Sequence, residues 1–204
     1  MIGEIVNNKT MKVTGQTKMR IVVGNVRHNL ESRHIVADFR YPAIDEEEGT
    51  ATFLLWNLSG QLVGFQQYRP FQTLKNTNNP REARYFTITK PGTVAVWGCE
   101  YMYLSPKVVF VTEGIFDAVR FHKYGYSAIA TLGSSLSRDA FYWLRSLGRT
   151  IVAVLDGDDA GKKLSNVGHI SFTSTSDPGD ATEEEIQKII ADYETATNQI
   201  NDIR

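Results

Sequence analysis

The chain has 204 residues, which is enough for one large domain or two small ones with a substantial hydrophobic core. Its hydrophobic content of 42% and charged content of 22% are ordinary for a soluble globular protein, and no apolar run is long enough to span a membrane. The single cysteine, Cys99, excludes an internal disulfide and a cysteine-based zinc cluster, and it fits a reducing cytoplasm.

The net charge of −1 by itself argues against a nucleic-acid partner, but the charges are unevenly distributed. Residues 51–107 carry six lysines and arginines against two acids, whereas residues 108–204 carry nine against fourteen acids. The interpretation that we favour is a first half that binds phosphate and a second half that holds metal. The alternative is a solvated surface on which charge varies at random.

The first 50 residues predict little. Residues 19–26 (MRIVVGNV) have the composition of a strand, and the acidic run 45–48 is interpreted as a solvated turn rather than a metal site. From residue 51 onward, ATFLLWNL and QLVGFQQYR predict a hairpin around Ser59-Gly60, and ARYFTI and TVAVWG predict two further strands. Residues 1–106 are therefore predicted to form a small α+β, strand-rich subdomain.

Basic and aromatic side chains stand at the ends of these predicted strands, with Tyr68 beside them. Cations make sequence-independent contacts with phosphate, and aromatic rings offer faces on which unpaired bases stack. The alternative is a half-exposed sheet whose arginines simply face water. The candidate residues for nucleic-acid or nucleotide binding here are Arg69, Arg84, Tyr85 and Lys90.

Residues 107–190 predict strands that alternate with helices. The predicted strands are 108–112, 127–131, 150–155 and 169–172. Four helices are predicted between and after them. The first spans 115–125, the second is capped by Ser137, the third is short and follows residue 161, and the fourth begins with a Thr182–Glu185 capping box. This alternation implies a parallel sheet with right-handed crossovers. The polar residues 191–204 are predicted to form a fraying C-terminal tail.

Three groups of carboxylates follow predicted strands or lie in a Pro/Gly loop of this region. Ligands of open α/β sheets sit at the carboxyl ends of the strands, and carboxylates gathered there stay ionised only beside a cation. Oxygen ligands favour Mg²⁺ and make His122 and His169 poor candidates. Taken singly, each acid is explained as well by a role as a turn residue or helix cap as by metal binding. The candidate metal ligands are Glu113, Asp156, Asp158, Asp177 and Asp180.

The residues around these acids resemble the Toprim domain in its primase version. The matching segments, in the family's order and spacing, are Glu113-Gly114 with Asp117, Leu132-Gly133, DGDDAG (156–161) and Asp177-Pro178. In front of them, WNLSGQLVGFQQYRP, REARYF and AVWG resemble shorter and less specific motifs of the primase polymerase core. The closest overall likeness is to compact bacteriophage primases.

The resemblance implies a Toprim domain, a Rossmann-like parallel sheet with flanking helices, in residues 107–190. It implies a DNA primase, a nucleotidyltransferase that makes short RNA primers on single-stranded DNA from ribonucleoside triphosphates. Two Mg²⁺ or Mn²⁺ ions and no zinc are expected, with Asp156 and Asp158 sharing one ion and Asp177 and Asp180 completing the second site. Glu113 is then a general acid/base or a further ligand. Lys162 is a candidate for binding triphosphate, although an exposed helix lysine explains it equally well.

Two other functions use the same residues. A small Toprim nuclease acting on DNA or structured RNA needs the same carboxylates, and a non-catalytic replisome or nucleic-acid-binding factor keeps the fold. The second alternative stays open because Ser176 stands where family members usually carry a lysine before the Asp-Pro motif. A zinc-binding module is not recognised, so a replicative helicase or a separate zinc-module protein is an expected partner, in a bacterial or phage-infected host cytoplasm.

Overall fold

The computed structural model describes residues 9–13, 17–21, 25–35, 42–74, 77, 79, 82–133, 136–155, 161–174 and 179–201. The chain divides into two compact units, the first formed by Met1–Leu55 and Val63–Pro91 and the second by Trp56–Leu62 and Gly92–Arg204. The predicted domain boundary at residue 106 stays a prediction. Among the described helices, none combines the length and the apolar character that crossing a membrane requires.

The first unit is built mainly from antiparallel strands. A hairpin of β1 (Lys9–Val13) and β2 (Thr17–Ile21) comes first, followed by the helix α1 (Val26–Ser32). A four-stranded sheet in the order β3-β4-β5-β6 then comprises β3 (Ala43–Asp45), β4 (Thr50–Trp56), β5 (Leu62–Tyr68) and β6 (Tyr85–Thr89). The predicted hairpin around Ser59-Gly60 is confirmed, because Gly60 takes a left-handed φ of 74° in the turn between β4 and β5.

Helix α1 is capped at its N-terminus by two side chains. The side chain of Asn25 accepts a hydrogen bond from the His28 N–H at 2.9 Å. The carboxylate of Glu46 accepts the N–H groups of Val26 and Arg27 at 2.8 and 3.0 Å. The acidic run 45–48 therefore continues from β3 into a turn, as predicted, and one of its carboxylates stabilises the positive end of a helix that the sequence did not predict.

The second unit alternates strands and helices. In chain order its elements are β7 (Val108–Thr112), α2 (Ile115–His122), β8 (Ser127–Ala130), α3 (Arg138–Ser146), β9 (Thr150–Leu155), a 3₁₀ helix (Gly161–Val167), β10 (Ile170–Thr173) and α4 (Glu183–Asn201). The four strands form a parallel sheet in the order β10-β9-β7-β8. The predicted parallel α/β fold is confirmed, and an antiparallel sheet precedes it in the chain.

Both faces of this sheet are covered, which is why every residue of β7 is buried. Val109 and Val111 belong to an apolar cluster with Leu144 of α3 and with the 3₁₀ helix. Phe110 points the other way, stacking on Phe121 of α2 with ring centres 4.3 Å apart and meeting Tyr193 of α4 edge-on at 5.7 Å.

Two predictions of local structure are wrong. The segment TVAVWG forms no strand of its own, because Val96 makes a single bridge with Trp56 while Trp97 makes one with Ala130. The C-terminal tail is helical as far as Asn201, because the apolar stripe of α4 continues to a buried Tyr193 that packs on the sheet.

Candidate active site

The carboxyl ends of β7, β9 and β10 lie side by side at one edge of the parallel sheet. Val111 is paired with Ala153 and Leu155 with Thr173, so the chain leaves these three neighbouring strands at nearly the same level. The strand order reverses between β7 and β9, since β8 lies on one side of this pair and β10 on the other. This edge is the topological switch point at which open α/β sheets bind ligands.

Glu113 follows directly on β7, in a turn that Asp117 holds in place. The Asp117 carboxylate accepts the Gly114 N–H at 2.7 Å and is only 5% exposed. A Cβ on residue 114 would lie 2.7 Å from the same Asp117 oxygen, so the turn needs glycine there. Asp117 therefore serves as the cap of α2, and Glu113 is partly exposed in the same turn.

The Leu132-Gly133 motif supports the backbone of the same turn. The N–H groups of Thr131 and Leu132 donate to the carbonyls of Thr112 and Glu113 at 3.0 and 2.9 Å, and the Thr131 hydroxyl donates to the carbonyl of Gly133 at 2.7 Å. Leu132 has a φ of 62°, a left-handed conformation that costs a non-glycine residue on the order of 1–3 kcal/mol. The loop after β8 therefore contains a strained residue, Leu132, whose N–H is hydrogen-bonded to the backbone carbonyl of Glu113.

The remaining predicted ligands are only in part within the described residues. Asp156, Asp158 and Asp177 lie outside them, and so does the side chain of Lys162, whose backbone belongs to the 3₁₀ helix. Asp180 is exposed in the turn before α4. The part of the chain that the structure describes contains no group of three or more metal-ligating side chains, so the meeting of the carboxylates stays a prediction.

Cys99, His122 and His169 of the second unit take part in its packing and hydrogen bonding. Burial raises the pKa of Cys99 to about 12, so its thiol stays protonated. The His122 ring donates to the carbonyl of Ala128 at 3.0 Å, and the His169 ring accepts the Ile151 N–H at 2.8 Å. The predicted carboxylate ligands are oxygen donors, which Mg²⁺ and Mn²⁺ prefer.

In the first unit, Arg69 and Arg84 lie together where β5 ends and β6 begins. The Arg69 N–H donates to the Arg84 carbonyl at 2.8 Å. The guanidinium groups are oriented by local acceptors, Arg69 by Gln67 at 2.8 Å and Arg84 by the carbonyl of Gln72 at 2.9 Å. Burial lowers the pKa of Arg69, although an arginine stays charged at any physiological pH.

The other two candidates of the first unit are placed differently. Tyr85 is half-buried, with its ring stacked on Tyr68 at 5.2 Å and its hydroxyl accepting from Arg33 at 3.2 Å. Tyr68 is only 3% exposed and offers no face to a base. Lys90 is exposed beyond the far end of β6, about 20 Å along the strand from Arg84, so the structure does not bring it together with the arginine pair.

Sequence reasoning missed two charged side chains that the structure makes prominent. Arg33 contacts both tyrosines, lying 5.8 Å from the Tyr68 ring centre. Arg120, only 1% exposed, forms an ion pair with Glu183, which the sequence explained by the helix dipole alone. An arginine inside the largely apolar helix IFDAVRFH was the available signal, because a buried guanidinium requires a partner.

Comparison with known proteins agrees with this geometry. Residues 110–178 match the family model described as Toprim-like. A DNA primase of Thermotoga maritima is 35% identical over 122 residues, which are 58% of this chain and 21% of that protein. The chain thus matches about a fifth of the length of this curated relative.

Two solved structures share the fold. The RNA polymerase domain of Mycobacterium tuberculosis primase DnaG aligns with a TM-score of 0.52 at 19% identity, covering 70% of this chain and 54% of that one. A DnaG primase catalytic domain bound to ssDNA aligns with a TM-score of 0.51 at 18% identity, covering 71% and 51%. The resemblance that the motifs carry is confirmed: residues 110–178 are similar to the Toprim-like family, and a stretch of 122 residues is similar to a curated DNA primase.

Proposed function

We propose that this protein is the polymerase core of a DNA primase, a transferase that synthesises short RNA primers on single-stranded DNA. The observation that carries the proposal is the shared edge of β7, β9 and β10. The strands in register at that edge lead directly into Glu113, into the segment that begins at Asp156, and into the segment that contains Asp177. The similarity to curated DNA primases supports the same function.

The chemistry proposed is nucleotidyl transfer. The 3′-hydroxyl of the growing primer loses its proton and attacks the α-phosphorus of a ribonucleoside triphosphate, and the bond to the pyrophosphate oxygen breaks. Divalent ions at such a site neutralise the charge that develops on the transferred phosphate. Asp156, Asp158, Asp177 and Asp180 would hold two Mg²⁺ or Mn²⁺ ions, and Glu113 would accept the hydroxyl proton or act as a further ligand.

The first unit would bind the template. Arg69 and Arg84 are paired through their backbones, and local acceptors orient both guanidinium groups. Such a pair suits phosphate contacts, which depend on charge and not on base sequence. A DnaG catalytic domain of similar fold is bound to ssDNA, which makes single-stranded DNA the ligand to test. A replicative helicase or separate zinc-module protein, and a bacterial or phage-infected host cytoplasm, complete the proposal.

A primer-synthesis assay tests the function. Purified protein, single-stranded DNA, labelled ribonucleotides and Mg²⁺ or Mn²⁺ are expected to yield short RNA products. The double variant Asp156→Asn/Asp158→Asn keeps the shape of both side chains and removes their charge, so its product should fall below detection. Asp192→Asn, an exposed acid on α4 that pairs with Lys188, is the matched control and should retain full activity.

Three outcomes would overturn the proposal. The first is undiminished RNA product from the double variant. The second is no product from the wild type together with degradation of labelled nucleic acid in the absence of ribonucleotides, which would indicate a nuclease. The third is a wild type that binds single-stranded DNA but does neither reaction, which would indicate a non-catalytic binding factor.

A further inference from the structure

The strongest unassigned feature of the second unit is a buried arginine near the candidate site. Arg120 lies on α2 about 9 Å along the helix axis from Gly114, and its side chain is 2% exposed. Removing a guanidinium from water costs several kcal/mol, and the cost is offset only where the charge is paired. Its partner is the Glu183 carboxylate at 3.2 Å.

The Glu183 carboxylate contacts three donor side chains that are close together in the chain. Besides Arg120, it accepts from the Lys123 ammonium at 3.0 Å and from the hydroxyl of Tyr124. All three donors belong to α2 or to the turn that follows it, whereas Glu183 is the first residue of α4. The cluster therefore ties the start of α4 to the body of α2.

Each of these two helices is preceded in the chain by a segment that carries a candidate carboxylate. Helix α2 begins right after the Glu113-Gly114 turn. Asp180 lies three residues before Glu183 and can be no more than about 11 Å from it, and the intervening Ala181 is buried. A displacement of α4 along α2 would therefore move Asp180 relative to Glu113.

We propose that Arg120 and Glu183 are positioning residues, which set the distance between the Glu113 turn and the Asp180 segment. An apolar contact would also hold α4 on the sheet, but hydrophobic attraction is not directional and allows sliding. The ion pair and the Tyr124 hydrogen bond are directional contacts between the two helices. This inference rests on the proposed metal site and assigns no chemical step to either residue.

The test distinguishes an effect on the packing of α4 against α2 from an effect on the position of the metal ligands. The double variant Arg120→Met/Glu183→Leu replaces the pair by apolar side chains of similar size, an exchange that is often neutral or stabilising. Mn²⁺ binding to the purified protein, without nucleotide or template, is measured by isothermal titration, and thermal unfolding is followed in parallel. Lys188→Met, which removes the exposed Lys188–Asp192 pair of α4, is the matched control.

The double variant is expected to unfold near the wild-type temperature while its Mn²⁺ dissociation constant rises about tenfold, as for other groups that orient metal ligands. The Lys188→Met protein should bind Mn²⁺ like the wild type. Unchanged Mn²⁺ affinity in the folded double variant overturns the inference, and so does a wild type that binds no Mn²⁺.

Failure of the double variant to fold would show that the pair serves stability, unless the isosteric Glu183→Gln protein folds and binds Mn²⁺ more weakly. The result of the Mn²⁺-binding test can be distinguished from the result of the primer assay. A wild type that makes no primer but binds Mn²⁺, with weaker binding in the double variant, removes the proposed function and leaves the positioning role intact.

Discussion

The two units hold their candidate residues by different means. In the second, the strand that leads to Glu113 is buried along its whole length, and the register of parallel strands sets the position of the site. In the first, the sheet is open enough to leave Leu54 and Ile88 nearly half exposed, and single hydrogen bonds, from Arg69 to Gln67 and from Arg84 to the carbonyl of Gln72, orient the arginines.

Catalysis and phosphate binding differ in how much movement of the participating side chains they tolerate. A catalytic constellation must be held to within about 0.5 Å, which demands packed support. Phosphate contacts made by a cation are long-ranged and tolerate movement. Substitutions at the sheet edge of the second unit should therefore cost the most, and substitutions in the first unit should have graded effects.

Glu113→Gln should give the largest effect, because it removes a charge and leaves the shape of the turn unchanged. Whether Glu113 accepts a proton or binds metal, the rate of nucleotide incorporation should fall by about 10²–10⁴-fold. Single-turnover incorporation assays measure it, with the exposed Glu184→Gln as the control. A rate within twofold of the wild type would remove Glu113 from the site.

Gly98→Ala should produce the largest loss of stability. Gly98 has a φ of 96°, and a Cβ would lie 2.5 Å from the Ala128 carbonyl of β8. Left-handed strain of about 1–2 kcal/mol and overpacking of about 1–3 kcal/mol should both appear in the free energy of unfolding in urea.

Gly60→Ala is the matched control for that loss. Gly60 has a similar φ of 74° but nothing within 4 Å of the added Cβ, so only the strain is expected. Equal losses at the two positions would show that the close approach of residue 98 to β8 contributes nothing.

Arg69→Ala/Arg84→Ala should weaken binding of single-stranded DNA without affecting metal binding. Each phosphate contact on a single strand contributes about 0.7 to the slope of log affinity against log salt, so the slope should fall by about 1.4. Fluorescence anisotropy over a series of salt concentrations measures this change. Lys188→Ala provides an exposed cation as the control, and an unchanged slope in the double variant would place the template elsewhere.

The smallest effect concerns pH. The Tyr124 hydrogen bond, followed by Lys123 and Arg120, holds the pKa of Glu183 below its ordinary value of 4.5. A carboxyl whose pKa is lower in the folded state stabilises the fold above its unfolded pKa, and that stabilisation is lost as the pH falls through the folded pKa.

The difference in unfolding free energy between the wild type and Glu183→Gln should therefore be constant above about pH 5 and shrink below pH 4.5. Urea unfolding between about pH 3 and pH 7 measures it, with Glu184→Gln on the same turn for comparison. A difference that persists unchanged at pH 3 would contradict the assigned interactions of Glu183.

The second unit was the more predictable of the two, because its signals are local. β-branched runs predicted β7 and β9, and both predicted caps are present: Ser137 accepts the Ala140 N–H at 3.2 Å, and Thr182 and Glu185 form their reciprocal pair at 2.8 and 3.2 Å. Caps and periodicity depend on residues three or four positions apart, which a single sequence displays directly.

The errors occur where distant partners decide the structure. TVAVWG has strand composition, yet Val96 and Trp97 each find only one bridging partner. The polar C-terminal residues are helical because a packed Tyr193 extends α4 along the sheet. Neither outcome can be derived from local propensity, because packing against a neighbour overrides a weak intrinsic preference.

The sequence by itself determined the order of the elements, the placement of acids just beyond strand ends, and the resemblance to Toprim-type primases. Only the tertiary structure decided that β7 and β9 are neighbours in register, that Asp117 caps α2, and that Glu183 is the partner of Arg120. The physical reason is that strand order and the pairing of buried charges depend on residues far apart in the chain, whose contacts exist only once the core has formed.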